Sequence, residues 1–372
     1  MKRILLVSVV LFFSSMVGVA QTCTQTLRLA NETYNAGRLH ELPKICEKCL
    51  DPKSDDQFSK EEKRDAYKLL TQAYIYLEEP EQADKAMLSL LKTDGFFEIN
   101  DKIDPAEFIG QHIKFRSLPV ISLTAKFGFT GTFVSPVTIF NTGNSVSPDG
   151  KFSPAISPYF GLGVEKMLVK NKKKMLVKNK WTLSAEIFYM TKSFAYNNAR
   201  FFDFDQLSST EGDAKFAASI SSNYTHTRLD FYPMIQYSLY QKKKSAINPF
   251  VAIGPGFSYL LAAENETKTP RLEPDGNSGN TISGPTIKPT SSFNKITYSA
   301  VIMAGGKFRI GSIYVTGDIR FQYGFSNLTA EKRTNQEAVF DYGFQIPDFK
   351  THNVMATIGV IKPIFIPKKL VK

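Results

Sequence analysis

Seven charged residues stand at alternating positions within otherwise apolar segments in the second part of the sequence. They are Lys126, Glu186, Lys192, Arg228, Asp230, Asp318 and Arg320. If these segments are strands, alternation places all seven side chains on one polar face. Charges removed from water must form ion pairs or carry a large desolvation penalty. We therefore expect a buried ion-pair network, with a proton path or a solute gate as the alternative use of the same residues.

Histidines offer a second possible chemistry. His226 lies in YTHTRLD and His352 in KTHN, each near the outer end of a predicted strand. A histidine beside a serine or an acid at that rim could serve a lipid hydrolase or acyltransferase, but no third group that would orient the ring is recognisable. The sequence also contains no phosphate loop, metal-ligand cluster or nucleophile elbow. We predict a protein that is not an enzyme, with no catalytic residue, cofactor or metal.

Three cysteines, Cys23, Cys46 and Cys49, indicate a structural disulfide. No strand-helix-strand pattern surrounds the C-x-x-C motif, and His40 alone would not complete a zinc site. The odd count leaves at least one thiol outside an intramolecular bond. Two antiparallel helices would bring Cys23 near Cys46 or Cys49, and the sequence leaves the choice between them open.

The first third of the chain begins with a secretory signal and continues with helical periodicity. Residues 1–20 combine two basic residues, an apolar run and the small-residue cleavage site Gly18 to Ala20, so we predict export with Gln21 as the new N-terminus. Residues 21–96 are predicted to be helical, with a capping box at Ser59 and Glu62. Residues 97–118 show no sustained period and are assigned to a linker.

One helical stretch resembles a known repeat family. The run AYKLLTQAYIYLEEPEQADKAMLSLLKTDG resembles one tetratricopeptide unit, with Tyr74 and Ala83 at the spacing of that family's interhelical contact. The resemblance implies a short scaffold that binds a peptide or a partner protein. A small helical cap without a ligand is the alternative, because one repeat offers little concave surface.

From residue 119 to the C-terminus the period changes from helical to two. Eight segments alternate, at 121–133, 160–165, 181–192, 228–239, 250–261, 296–310, 313–325 and 354–360. Their apolar faces carry bulky Phe, Tyr, Trp, Ile and Leu, whereas their polar faces carry Gly, Ser, Thr and a few charges. Bulky apolar side chains are suited to contact with lipid, and small polar side chains are suited to the narrow interior of a barrel. This arrangement predicts an eight-stranded antiparallel transmembrane β-barrel over residues 119–372.

Connection lengths and charges predict how this barrel is oriented. Long loops are predicted at 135–153, 197–223, 265–293 and 329–350, and short turns at 241–245 and around Gly311; the loop 265–293 is expected to be mobile and solvated. Turns and C-terminus together carry a net charge of +15, against about −3 for the long loops. The basic turns include Lys172, Lys173, Lys174, Lys242, Lys243 and Lys244. We expect the helical domain, the turns and the C-terminus to be periplasmic. The basic turns are either simply solvated or face anionic lipid headgroups or an acidic partner surface, and nucleic acid is not expected as a partner.

The complete layout resembles outer-membrane β-barrel proteins of bacteria that possess type IX secretion and gliding machinery, including PorT-like accessories. The resemblance is carried by the architecture, the Gln21 start and the DPAEF and FGFTG phrases. It implies an envelope-assembly or secretion accessory in the outer membrane, in contact with lipid and with a periplasmic or outer-membrane protein. Two alternatives remain: surface binding or adhesion through the long loops, and an outer-leaflet lipid-modifying enzyme.

Overall fold

A computed structural model describes residues 17–138, 150–168, 180–203, 217–239, 247–272, 278–283, 288, 290–330 and 346–370. These residues form two compact units. The helical unit contains the described residues up to Val120 and the C-terminal segment that begins at Ile364. The barrel contains the described residues between Ile121 and Pro363.

The helical unit is built from short amphipathic helices. They are α1 (Val17–Asn35), a 3₁₀ turn (Leu39–Glu41), α2 (Leu42–Leu50), α3 (Lys60–Tyr76), α4 (Pro80–Thr93) and α5 (Ala106–Ile113). Helix α3 begins at the predicted capping box: the Glu62 amide donates to Ser59 Oγ (3.3 Å), and the Ser59 amide donates to Glu62 Oε2 (2.8 Å). No helix among the described residues is both long enough and apolar enough to cross a membrane.

A disulfide connects the first two helices of the unit. It joins Cys23 to Cys49 across a sequence separation of 26, and Cys46 remains a free, buried thiol. Burial raises the pKa of Cys46 to about 11, so this thiol stays protonated and unreactive at neutral pH. All three sulfur atoms belong to one apolar cluster that also contains Ala30 and Leu42.

The sequence assigned residues 97–118 to a linker, and the structure corrects this assignment. Helix α5 lies within them, and Phe108 is buried in an apolar cluster with Met87, Leu90, Leu91 and Phe115. The eight residues of α5 bury Phe108 together with Gln111 and His112. Because two of these three buried side chains are polar, no apolar period was visible in the sequence.

The C-terminal segment also belongs to the helical unit rather than to the barrel, to which the sequence had assigned everything up to residue 372. Phe365 packs edge-on against Phe96 with ring centroids 4.9 Å apart. Three backbone hydrogen bonds hold the segment: Val120 amide to Ile364 carbonyl (2.9 Å), Arg116 amide to Lys368 carbonyl (2.9 Å) and Leu370 amide to Lys114 carbonyl (2.7 Å). The unit is therefore assembled from the beginning and the end of the chain.

Ten strands make up the described part of the barrel. They are β1 (Ile121–Thr138), β2 (Lys151–Pro154), β3 (Ile156–Met167), β4 (Trp181–Asp203), β5 (Ala217–Ser238), β6 (Ile247–Leu272), β7 (Ser278–Ser283), β8 (Ile296–Ile310), β9 (Ile313–Gly324) and β10 (Asp348–Ile364). Eight of them form a ring in the order β1, β3, β4, β5, β6, β8, β9 and β10, with β10 pairing back onto β1. The additional strands β2 and β7 pair with β4 and β6 and were not predicted.

The ring turns its apolar face outward, and this confirms the predicted membrane-type alternation. Phe129, Leu162 and Ile358 are 52%, 64% and 66% exposed, whereas Thr130 and Thr132, on the other face of β1, are buried. Strand β6, whose register the sequence left uncertain, follows the same rule: Phe250 is buried inside and Val251 is exposed outside. A ring of this kind also leaves no unpaired edge in the bilayer.

Several strands continue far beyond the length that the sequence indicated. Strands β4, β5 and β6 have 23, 22 and 26 residues, although roughly 9 to 11 suffice to cross a bilayer. The loops predicted at 197–223 and 265–293 are therefore partly strand, and Ser221 pairs with Lys268 across β5 and β6. Outside the bilayer a strand needs no apolar outer face, so the alternation that marks it in the sequence fades.

The interior holds more bulk than the Gly, Ser and Thr pattern suggested. Tyr159, Phe188, Tyr232 and Phe250 are all buried within one interior cluster. Room for them comes from glycine on neighbouring strands: a Cβ at Gly161 would lie 2.3 Å from the Phe188 ring. Large and small inward residues on adjacent strands therefore complement each other, which strand-by-strand alternation does not show.

We predict that Cys49→Ala destabilises the helical unit by about 3 kcal/mol, because the cross-link removes the chain entropy of a loop of this size. Unfolding of the full chain in detergent, followed by circular dichroism at 222 nm, measures the change, since the described α-helices all lie in this unit. The control is Cys46→Ala, which removes a buried thiol and keeps the disulfide. A non-reducing gel that shows a cross-link in Cys49→Ala and none in Cys46→Ala would contradict the assigned pairing.

Candidate functional site

Four buried charges form a closed ring of ion pairs inside the barrel, hereafter the quartet: Lys126, Glu186, Asp318 and Arg320. Lys126 Nζ lies 2.6 Å from Glu186 Oε1 and 3.1 Å from Asp318 Oδ2. On the other side, Arg320 Nη1 lies 2.5 Å from Glu186 Oε2 and Arg320 Nε lies 2.6 Å from Asp318 Oδ1. Each cation thus contacts both carboxylates, and the formal charge of the quartet is zero.

The strands around the quartet are shaped to hold it. A Cβ at Gly163 on β3 would lie 2.8 Å from Glu186 Cγ, and one at Gly359 on β10 would lie 2.6 Å from Lys126 Cγ. The guanidinium carbon of Arg320 lies 4.9 Å from the centroid of the Phe188 ring, a cation–π distance. Glycine on one side and an aromatic ring on the other therefore fix these side chains in a space that excludes water.

A second polar group, hereafter the Asp230 group, lies further along β4 and β5 toward the long connections. Lys192 Nζ is 2.8 Å from Asp230 Oδ2, and the same carboxylate oxygen accepts a hydrogen bond from Tyr232 (2.7 Å). Gln322 extends the group: its Oε1 accepts from Lys192 (3.3 Å) and from Asn353 Nδ2 (2.8 Å). Tyr232, Gln322 and Asn353 were not among the sequence candidates, because uncharged polar residues on an inner face carry no distinctive signal.

Arg228 lies beside the Asp230 group and has fewer partners than the other interior cations. Its Nη1 donates to Thr297 Oγ1 (3.1 Å), while Nε and Nη2 contact no acceptor among the described residues. The side chain is nevertheless almost completely buried, with 1% exposure. The structure thus places all seven sequence candidates inside the barrel and joins six of them in ion pairs, with Arg228 as the exception.

Above the Asp230 group, toward the long connections, the interior is filled by an aromatic cluster that includes Phe194, Tyr224, Phe293 and Phe349. His226 is completely buried among these rings, 4.4 Å from Phe293 between ring centroids. The sequence analysis placed His226 at the rim as a possible catalytic base, and this placement is wrong. The inward alternation of β5 carries the imidazole into the barrel rather than toward lipid.

His352 lies on the outer face and has a serine partner. Its Nε2 is 3.1 Å from Ser135 Oγ, and its ring stacks on Tyr323 with centroids 4.4 Å apart. The other nitrogen, Nδ1, has no hydrogen-bond partner among the described residues. Ser135 was missed because it is 217 residues from His352 and meets it only when β10 closes onto β1.

The remaining sequence candidates lie in the helical unit or outside the described residues. Ala83 is buried and Tyr74 is half-buried at the packed sides of the α3–α4 hairpin, whose tetratricopeptide character stays a prediction. The lysine-rich turns at 172–174 and 242–244, and parts of each connection proposed for surface binding, fall outside the described ranges. Within those ranges, no three His, Cys, Asp or Glu residues are grouped so that they could hold a metal.

A closed ring of eight strands with an apolar outside and a polar, filled inside defines a transmembrane β-barrel of the outer-membrane type. Residues 119–330 match the family described as outer membrane protein beta-barrel domain. The chain belongs to this family, and its location is the outer membrane. No curated protein matches the sequence.

Solved structures with similarity to the chain are also outer-membrane proteins. OprG from Pseudomonas aeruginosa is 9% identical, with 67% of this chain and 98% of that chain covered and a TM-score of 0.33. Ail, the attachment invasion locus protein of Yersinia pestis, is 11% identical over 65% and 99% of the two chains, with a TM-score of 0.24. The outer membrane enzyme PagL is 13% identical over 65% and 99%, with a TM-score of 0.22. The family assignment rests on the matched domain and not on these similarities.

We predict that Glu186→Gln destabilises the barrel by about 3 to 5 kcal/mol, because it leaves two buried cations with one carboxylate between them. Urea unfolding in lipid vesicles measures this through Trp181, the single tryptophan, which lies on β4. The matched control is Glu165→Gln, whose partner Lys307 keeps 15% side-chain exposure and can recover hydration. Equal losses in the two variants would contradict a special role of the quartet.

Proposed function

We propose that this protein is a non-enzymatic outer-membrane anchor whose helical unit binds a protein partner in the periplasm, in envelope assembly or as a type IX secretion or gliding accessory. The observation that carries the proposal is the filled barrel. Large side chains, including Arg320, Tyr159, Phe188 and Tyr232, are less than 2% exposed in its interior. An eight-stranded ring packed in this way serves as a membrane anchor better than as a path for solutes.

The helical unit supports the same proposal because it has a core of its own. It contains two apolar clusters and a disulfide, and it forms a compact unit distinct from the barrel. Tyr76 and Ile103 are 47% and 74% exposed on its surface. Exposed apolar side chains of this kind are frequent members of protein interfaces. The type IX assignment follows from the sequence resemblance and is part of the proposal.

The test is photo-crosslinking in intact cells. A photoreactive residue at position 76 or 103 is expected to give discrete protein adducts of one partner, whereas the lipid-facing position 358 is expected to give none. Purified protein in planar bilayers is expected to show no steady ion conductance. Absence of an adduct at both helical positions would refute partner binding, and a stable conductance would refute the anchor role.

A second function is favoured by one specific observation, the pair formed by Ser135 and His352 on the outer face. A histidine nitrogen at 3.1 Å from a serine hydroxyl is arranged as in nucleophilic acyl transfer. The apolar side chains around the barrel would present such a pair to lipid acyl esters. The absence of a partner for His352 Nδ1 among the described residues makes this pair weaker than a complete triad.

For this second function we expect Ser135→Ala and His352→Ala to abolish any change that the wild-type protein makes to outer-membrane lipids. Mass spectrometry of lipids from cells with the wild type, each variant and a deletion strain provides the comparison. His226→Ala is the matched histidine control, because His226 is enclosed by aromatic rings and does not reach lipid. Identical lipid profiles in wild-type and deletion strains would refute the lipid-modifying activity proposed for Ser135 and His352.

A further inference from the structure

The charges inside the described part of the barrel do not sum to zero. Five cations, Lys126, Lys192, Arg228, Lys307 and Arg320, face four carboxylates, Glu165, Glu186, Asp230 and Asp318. Every carboxylate is engaged: two in the quartet, Asp230 with Lys192, and Glu165 with Lys307 at 2.6 Å. The surplus positive charge therefore lies where Lys192 and Arg228 face the single carboxylate of Asp230, whose Oδ1 has no hydrogen-bond partner among the described residues.

Arg228 cannot relieve this surplus by losing its proton, because a guanidinium stays protonated in proteins. It presents five N–H donors in a fixed plane, and the described residues supply one acceptor, Thr297 Oγ1. Its Nε and Nη2 are buried without a partner. A buried cation in this situation carries a desolvation penalty that only a negative counter-charge offsets well.

The surroundings of Arg228 have the chemistry of an anion site. A cavity of about 10 Å³ adjoins it, lined by Arg228 and Lys192 together with hydroxyl and amide side chains, notably Ser258, Ser299, Gln322 and Asn353. Two cations contribute to this lining and no carboxylate does; Asp230 directs its Oδ2 to Lys192 instead. The cavity is small, comparable to a site for one ordered water molecule, and therefore favours a monatomic anion over a bulky organic one.

We propose that Arg228, with Lys192, binds one monatomic halide inside the barrel, with chloride as the natural occupant. The halide completes the interior charge balance and accepts hydrogen bonds from Nε and Nη2. The aromatic cluster around His226, which includes Phe194, Tyr224 and Phe349, lies on the long-connection side of the Asp230 group.

The experiment uses the full chain refolded into detergent in sodium chloride, sodium bromide or sodium gluconate at equal ionic strength. Wild-type protein refolded with chloride or bromide is expected to unfold at least tenfold more slowly than protein refolded with gluconate, which is too large for the cavity. Arg228→Gln is expected to remove the difference between the three salts. Arg309→Gln, a matched arginine replacement on an exposed part of β8, is expected to retain it.

Crystals of the bromide-refolded wild type give a direct readout that does not depend on a variant folding. An anomalous peak in contact with Arg228 Nε or Nη2 is the expected result. Equal unfolding rates in all three salts, or a crystal in which water alone bridges Arg228 to the unpartnered Oδ1 of Asp230, would overturn the proposal.

Discussion

Closure of the sheet is the constraint on which the rest of the barrel depends. In hydrocarbon, every backbone amide and carbonyl must find its partner within the protein, and a ring of strands meets this requirement without leaving an edge. Here the ring closes where β10 pairs with β1, two segments separated by more than 200 residues of sequence. A barrel of eight strands encloses a narrow space. The inward side chains of all eight strands must therefore fit together to fill it.

The inward side chains are arranged in layers of polar and aromatic residues along the barrel. The quartet balances one lysine and one arginine against two carboxylates, and the Asp230 group adds the Lys192–Asp230 ion pair together with amide and hydroxyl side chains. Aromatic side chains separate and cover these polar layers. Because the low dielectric of such an interior strengthens satisfied polar interactions and penalises unsatisfied ones, the pairing of each charge determines how uniquely the barrel packs. Arg228 is the residue at which the protein's own groups do not complete that pairing.

Sequence reasoning found the barrel because lipid imposes a strong pattern on the outward face. Phe127, Phe129 and Leu162 had to be apolar in membrane, and their period of two identified strands and their facing direction. It could not find which inward residues meet, since Lys126, Glu186 and Asp318 come from β1, β4 and β9, strands that are not adjacent in the ring and whose side chains meet only across the interior of the closed barrel. It also missed the contact between Ser135 and His352, which forms only when β10 closes onto β1. The sequence pattern also underestimated the length of β6. The part of this strand beyond the membrane has water on its outer side, so its outward residues need not be apolar and the alternation is lost.

The helical unit was recognised from periodicity at Leu70, Ala73 and Met87, whereas its limits were not. Helix α5 has two polar groups among its buried side chains, and the C-terminal segment joins the unit through backbone hydrogen bonds that carry no sequence signature. The tetratricopeptide pattern concerned only α3 and α4. Local patterns therefore identified the elements of this unit but not the long-range contacts that complete it.

The backbone hydrogen bonds between the helical unit and the C-terminal segment also determine the order in which parts of the chain can fold. The amides of Arg116 and Val120 pair with carbonyls of Lys368 and Ile364, residues that the ribosome adds about 250 positions later. The helices can be translated and exported early, but their last hydrogen bonds form only after the sequence of every barrel strand has been delivered. The helical unit is therefore complete only after all barrel strands have been synthesised and exported. A truncated product would expose an incomplete helical unit to the proteases and chaperones of the envelope.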